Sequence, residues 1–385
     1  MGKKGYSGAC IGSVVFFCLA IVGSGLSPAA TPAPAPAPGP VESNGGGPLI
    51  VPALYVFGDS LVDSGNNNYL STMARANYLP YGVDFPGGPT GRFTNGKTVA
   101  DFIAESLGLP LVPPDLSISQ IKRNETTTGV NYASGSAGIL PQTGTTLGSN
   151  LNLDSQISKF EDTVMRNLPH MFPSSKELSQ YLSKSIFLVD VGSNDFINPY
   201  LQPQSTDLSI PNPQKNPQDF AKLLTSNLSD YLQRLYQLGA RKFVVFEVGP
   251  IGCIPALTNN SKGLIGGCIQ ELNNPVTTYN QQLSSLLKFL NSKLKGSIFS
   301  QAKAYSLLML ETNKATKTGL SDVMKACCSG TLHCTASQPS CKNANQHFFF
   351  DGFHPTEAIN SKVARAVFSD SSACSPISIQ NMAKA

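Results

Sequence analysis

Ala53-Leu54-Tyr55-Val56-Phe57-Gly58-Asp59-Ser60 is an unbroken apolar run that ends in a polar turn, which continues as Leu61-Val62-Asp63-Ser64-Gly65-Asn66-Asn67-Asn68. A strand covered on both faces reads as a continuous apolar run, whereas a half-exposed strand alternates. Ile186–Val191, Phe243–Val248 and Ala304–Leu308 have the same character, and Gly129–Ala133 is a weaker fifth. Helical spacing marks Thr98–Leu107, Ile157–Leu168, Phe220–Leu238, Leu272–Leu294 and Glu357–Phe368; in the third, Leu224, Leu228, Tyr231, Leu232 and Leu235 share one stripe. Strands and helices therefore alternate. That order predicts an α/β fold, with a mainly parallel five-stranded sheet and helices on both faces. Ligands in such folds bind beyond the carboxyl ends of the strands, where the turn at Ser60 falls.

The flanks read differently. Lys3 and Lys4 precede an apolar stretch from Val14 to Val22 and then small residues, the pattern of a secretory signal over residues 1–30. The stretch is shorter than the roughly 20 apolar residues of a membrane span, which disfavours an uncleaved anchor. Residues 31–47, rich in Pro, Ala and Gly, predict a solvated spacer. One domain is expected over residues 48–375, with 376–385 as a C-terminal tail. Losing the two lysines takes the formal charge from +4 to +2. With no Lys/Arg stripe to neutralise phosphates, this charge does not imply nucleic-acid binding, and no nucleic-acid partner is expected.

Nine cysteines are present, and Cys10 and Cys18 lie in the signal. Cys253, Cys268, Cys327, Cys328, Cys334 and Cys341 are the disulfide candidates in an oxidising compartment, with Cys374 left over and the connectivity open. Zinc is the competing reading, and adjacent Cys327-Cys328 fits it poorly. Asn124, Asn227 and Asn259 each begin an Asn-X-Ser/Thr sequon, consistent with a secreted glycoprotein.

The chemistry gathers at strand ends. A serine at a strand-to-helix turn can point its hydroxyl into the crevice, and the turn offers free N–H groups to a developing oxyanion. The chain has four histidines, and one of them stands in Phe350-Asp351-Gly352-Phe353-His354-Pro355. There Asp351 can fix the tautomer of His354, and Pro355 can steady it at a helix start. His170, His333 and His347 have no such setting and read as surface or loop residues. Gly135, within Ser134-Gly135-Ser136-Ala137-Gly138, and Asn194, within Gly192-Ser193-Asn194-Asp195, are candidate donors to the same oxygen.

Four segments together resemble the blocks of the SGNH/GDSL hydrolases, specifically the plant secreted GDSL esterase/lipases. They are Phe57 to Tyr69, the stretch around Gly135, Gly192 to Asp195, and Asp351 to Pro355. Tyr81-Gly82-Val83-Asp84-Phe85, Pro89-Thr90-Gly91-Arg92-Phe93-Thr94-Asn95-Gly96, Gly249-Pro250-Ile251-Gly252-Cys253-Ile254-Pro255 and Cys327-Cys328 are similar too, so the likeness covers roughly residues 50–370.

The resemblance implies a flavodoxin-like three-layer α/β/α sandwich. It implies a triad of Ser60, Asp351 and His354, and an oxyanion hole from the Ser60 and Gly135 N–H groups and the Asn194 side chain. It calls for no metal or organic cofactor. Ser136, where many relatives have glycine, and Phe350, where many have Trp, are departures that remove no catalytic group. Three outcomes compete. The first is a secreted esterase or lipase of the apoplast or cell wall. The second is an extracellular transesterase that builds a cutin-like polyester. The third is a secreted binding glycoprotein that has lost activity. The loops Leu70–Pro89 and Pro141–Leu153 are expected to line the pocket.

Overall fold

A computed structural model describes residues 51–201, 210–258, 267–317, 324–328, 330 and 332–385. The signal, the spacer and Asn259 lie outside the described residues. Five strands make one sheet in the order β1 (Leu54–Gly58), β2 (Ile186–Asp190), β3 (Lys242–Phe246), β4 (Ile298–Ala302) and β5 (Cys374–Ser375). The first four are parallel, and β5 closes the edge antiparallel, with Ala302 opposite Cys374. β1, β2 and β3 are buried along their whole length, which accounts for their unbroken apolar runs.

Gly129–Ala133 is not a full strand. It still runs alongside the outer edge of β1, where Val56 N–H donates to Val130 O at 3.1 Å and Tyr132 N–H to Val56 O at 2.8 Å. Counted as the second element, it gives the 2-1-3-4-5 order of a flavodoxin-like sheet. The fold is an α/β/α sandwich, with helices on both sides of the sheet. The Pro217–Gln237 and Gln270–Lys293 helices pack on each other, and Val99–Ser106 packs on Glu357–Ser369.

Two expectations need correction. Ala304–Leu308 is not a strand but the start of a helix, Ala304–Lys317, and β4 lies just before it. The polar pair Ser300 and Gln301 hid that strand. Both are buried and satisfied, since the Ser300 hydroxyl donates to Ile377 O at 2.9 Å and the Gln301 amide to Glu247 Oε1 at 3.0 Å. The domain also does not end at residue 375. The chain continues into a helix, Ile379–Lys384, whose Ile379 and Met382 are fully buried in the main core. That helix packs against Glu357–Ser369, so 376–385 is part of the domain and not a tail.

Six cysteines pair as Cys253–Cys268, Cys327–Cys341 and Cys328–Cys334, which removes the zinc reading for them; Cys374 is a buried free thiol. No described helix is long and apolar enough to cross a membrane. Asn124 and Asn227 are both half-buried, and Asn227 sits within the Pro217–Gln237 helix, where its amide donates to Leu223 O at 2.9 Å.

Candidate active site

β1 delivers Ser60 to the carboxyl edge of the sheet, and Gly58 sets how closely it does so. A Cβ on Gly58 would stand 2.3 Å from the Asp190 carbonyl oxygen, so only glycine lets β1 lie this close to β2 at the turn. The buried Gln156 amide clamps the same residue, accepting from Gly58 N–H and donating to Gly58 O, each at 2.8 Å. Asp63 then accepts from Gly65 N–H (2.7 Å) and Asn66 N–H (2.8 Å). Asn66 and Asn67 tie the turn to residues 131–135: the Asn66 amide donates to Asn131 O and Ala133 O, and that of Asn67 to Gly135 O. The polar run after Ser60 is thus a buried brace.

Ser60 Oγ lies 2.7 Å from His354 Nε2, across 294 residues of sequence. His354 Nδ1 lies 2.8 Å from each oxygen of Asp351. Asp351 is fully buried and also accepts from Phe353 N–H and His354 N–H at 2.8 Å, and from the Tyr81 hydroxyl at 2.6 Å. Burial opposes its ionisation, but the imidazoles of His354 and His333 outweigh burial and hold the carboxyl far below its ordinary range. An ionised Asp351 can only accept, so His354 carries its proton on Nδ1 and presents Nε2 as an acceptor to the Ser60 hydroxyl. The Phe93 ring, 5.0 Å from the imidazole centroid, packs beside it.

His333 lies on a loop, as expected, but not away from the site. It lines the cavity, and its buried Nδ1 lies 3.9 Å from Asp351 Oδ2, too far for a hydrogen bond and close enough for charge to act. The Cys328–Cys334 disulfide closes the loop that carries it. Cys334 N–H donates to the Tyr81 hydroxyl at 3.2 Å, which in turn donates to Asp351. Spacing alone gave no sign of His333 or of the part Tyr81 plays.

The donors near Ser60 differ from expectation at one residue. Gly135 N–H donates to Asp63 Oδ2 at 3.0 Å and is committed to the brace. A Cβ there would meet the Phe93 ring and the Asn67 amide at 2.7 Å, so its glycine serves packing. The cavity-lining residue is the next one, Ser136, held at φ 66°. This left-handed conformation explains why glycine suits the position. The Ser60 and Ser136 N–H groups have no acceptor among the described residues. Asn194 lines the cavity as well; one of its two amide hydrogens goes to Ala137 O at 2.9 Å and the other is left for a ligand.

The cavity that opens at Ser60 has a volume of about 350 Å³. Its walls are mainly apolar, from Ile197, Phe246, Ile251, Ile254, Leu308 and Phe348 among others. Of the two loops expected to line it, only Ala74 and Leu147 do so. Phe350 is fully buried outside the cavity, packed 5.7 Å from the Tyr81 ring. Among the described residues, no group of three or more His, Cys, Asp or Glu is arranged to hold a metal.

The family model for GDSL-like lipase/acylhydrolases matches residues 54–367. The chain belongs to that family. It is similar to GDSL esterase/lipase 7 of Arabidopsis thaliana, at 45% identity over 345 residues, covering 87% of this chain and 93% of the relative. It is also similar to GDSL esterase/lipase At1g33811 of the same plant, at 41% over 344 residues, covering 86% and 91%. A third Arabidopsis relative, GDSL esterase/lipase At1g71691, is 40% identical over 341 residues, covering 87% and 86%. Membership of the GDSL esterase/lipase family makes the chain an ester-bond hydrolase.

Proposed function

We propose that the protein is a secreted serine esterase or lipase that cleaves acyl esters through an acyl-enzyme on Ser60. The observation that carries this reading is the 2.7 Å contact between Ser60 Oγ and His354 Nε2 at the mouth of an apolar cavity. His354 takes the Ser60 proton as the oxygen attacks the ester carbonyl. Asp351 holds the imidazole and balances the charge it gains. The carbonyl oxygen, now negative, is received by the Ser60 and Ser136 N–H groups and the Asn194 amide. His354 returns the proton to the leaving alcohol, then activates the water that releases the acyl group.

Secretion is supported by the signal pattern and by three disulfides, which persist in oxidising compartments. The catalytic reading is tested by labelling the purified protein with a fluorophosphonate. One adduct on Ser60, absent in Ser60→Ala and matched by loss of p-nitrophenyl ester turnover, is the expected result. An unlabelled, folded wild type, or unchanged turnover in Ser60→Ala, would refute it.

A further inference from the structure

The cavity extends past Ser60 along the carboxyl ends of the strands, and its lining carries one acid at each of the first three. Asp59 follows β1, Asp190 ends β2 and Glu247 follows β3. Among the described residues, no lysine or arginine lines the cavity. Part of the acids' bonding capacity is structural. Asp59 Oδ1 accepts from Leu61 N–H at 3.0 Å. Glu247 accepts from the Gln301 amide at 3.0 Å and from Tyr305 N–H at 3.2 Å, in the first turn of the Ala304–Lys317 helix.

Capacity remains. Asp59 is 1% exposed, and its Oδ2 has no hydrogen-bond partner although the residue lines the cavity. Each Glu247 oxygen holds one partner and retains a second acceptor site. Burial, together with the charge of Asp190, raises Asp59, and burial pushes Glu247 up to about 7. The three acids therefore form a row in which burial favours the uncharged form, with Lys303 acting on Glu247 in the opposite sense.

We propose that this row is a subsite for a hydroxyl-bearing part of the ester, with Glu247 receiving a hydroxyl about 10 Å from the scissile carbonyl, two strand spacings from Ser60. The proposal rests on Ser60 as the nucleophile. A plain methylene chain satisfies the apolar walls and leaves the acids desolvated and unpaired. A chain that carries a carboxylate meets like charge, with no lysine or arginine among the described lining residues to receive it.

The test uses medium-chain p-nitrophenyl esters of one length that end in methyl, hydroxyl, ammonium or carboxylate. Relative kcat/KM is read for wild type, Glu247→Leu and Glu247→Gln. Binding of the same four esters to Ser60→Ala is read by calorimetry. Hydroxyl over methyl by about tenfold, the effect of one well-placed hydrogen bond, with carboxylate last, is expected. Glu247→Leu brings the hydroxyl-to-methyl ratio to near one, and Glu247→Gln, which keeps an acceptor oxygen, retains most of it. A structural role alone would lower both esters together and leave the ratio unmoved. Equal rates for methyl and hydroxyl in wild type, a preference that survives in Glu247→Leu, or ammonium ahead of hydroxyl each overturns the proposal. A binding preference on Ser60→Ala without turnover by wild type upholds the subsite and refutes the esterase reading instead.

Discussion

Asp351 shows what a buried ionised carboxylate requires. Two backbone N–H groups, a tyrosine hydroxyl and an imidazole converge on its two oxygens, and none is solvent. The sequence made the Asp351/His354 pair legible because both lie in one short turn. Tyr81 and His333 arrive from distant segments, and no local spacing encodes that meeting. Gly135 N–H turns to Asp63 for a related reason: which N–H of a Ser-Gly-Ser turn faces the cavity depends on where Asp63 sits, 72 residues away. Asn194 stands with its second amide hydrogen unspent. In Asn194→Ala, kcat is expected to fall about a hundredfold with KM little changed, as befits a donor that acts only on the developing oxyanion. Steady-state kinetics on a p-nitrophenyl ester measures this, and near-normal kcat would remove Asn194 from that role.

Among the elements, β1, β2 and β3 were legible because each is buried on both sides and its apolar run is unbroken. β4 was not, because its Ser300 and Gln301 make hydrogen bonds that only the assembled sheet offers them. The apolar run after it, Ala304 to Leu308, fits a helix as well as a strand over five residues. The Ile379–Lys384 helix carries too few apolar residues to declare itself before its partner is known. The stapled loop is the element with the clearest experimental consequence. Closing the short Cys328–Cys334 ring is worth about 2 kcal/mol through the unfolded state. Its site-specific effect should be larger, because Cys334 N–H holds the hydroxyl of Tyr81. Cys328→Ser/Cys334→Ser is expected to lose turnover by more than its drop in Tm explains, whereas Cys253→Ser/Cys268→Ser loses them in proportion. Equal behaviour of the two double variants, compared by kcat and thermal melts, would separate the loop from the triad.

Across the whole molecule, the buried acids pull in opposite directions. Asp351, and Asp101 beside Arg92, are held below the ordinary 3.8 against the effect of burial; their stabilisation is present above that value and is lost as pH falls. Burial pushes Asp63 and Asp195 up to about 6 and Glu247 up to about 7; their contribution is intact below the ordinary value and lost as pH rises through the shifted one. Stability should therefore peak near pH 4 and decline as pH rises to about 7. Thermal melts across that range measure it, and a Tm that climbs steadily from pH 5 to 8 would contradict the assignment.

Ser60 and His354 stand 294 residues apart in the chain. On the proposed reading, the ribosome therefore makes the nucleophile near the beginning and its base near the end. A nascent chain that stops short of Asp351 carries a serine that nothing activates, however much of the sheet has formed. By that mechanism hydrolytic power would arrive only with the final stretch of translation, so the cell that builds this protein would not be exposed to a working esterase while the polypeptide is still being threaded out.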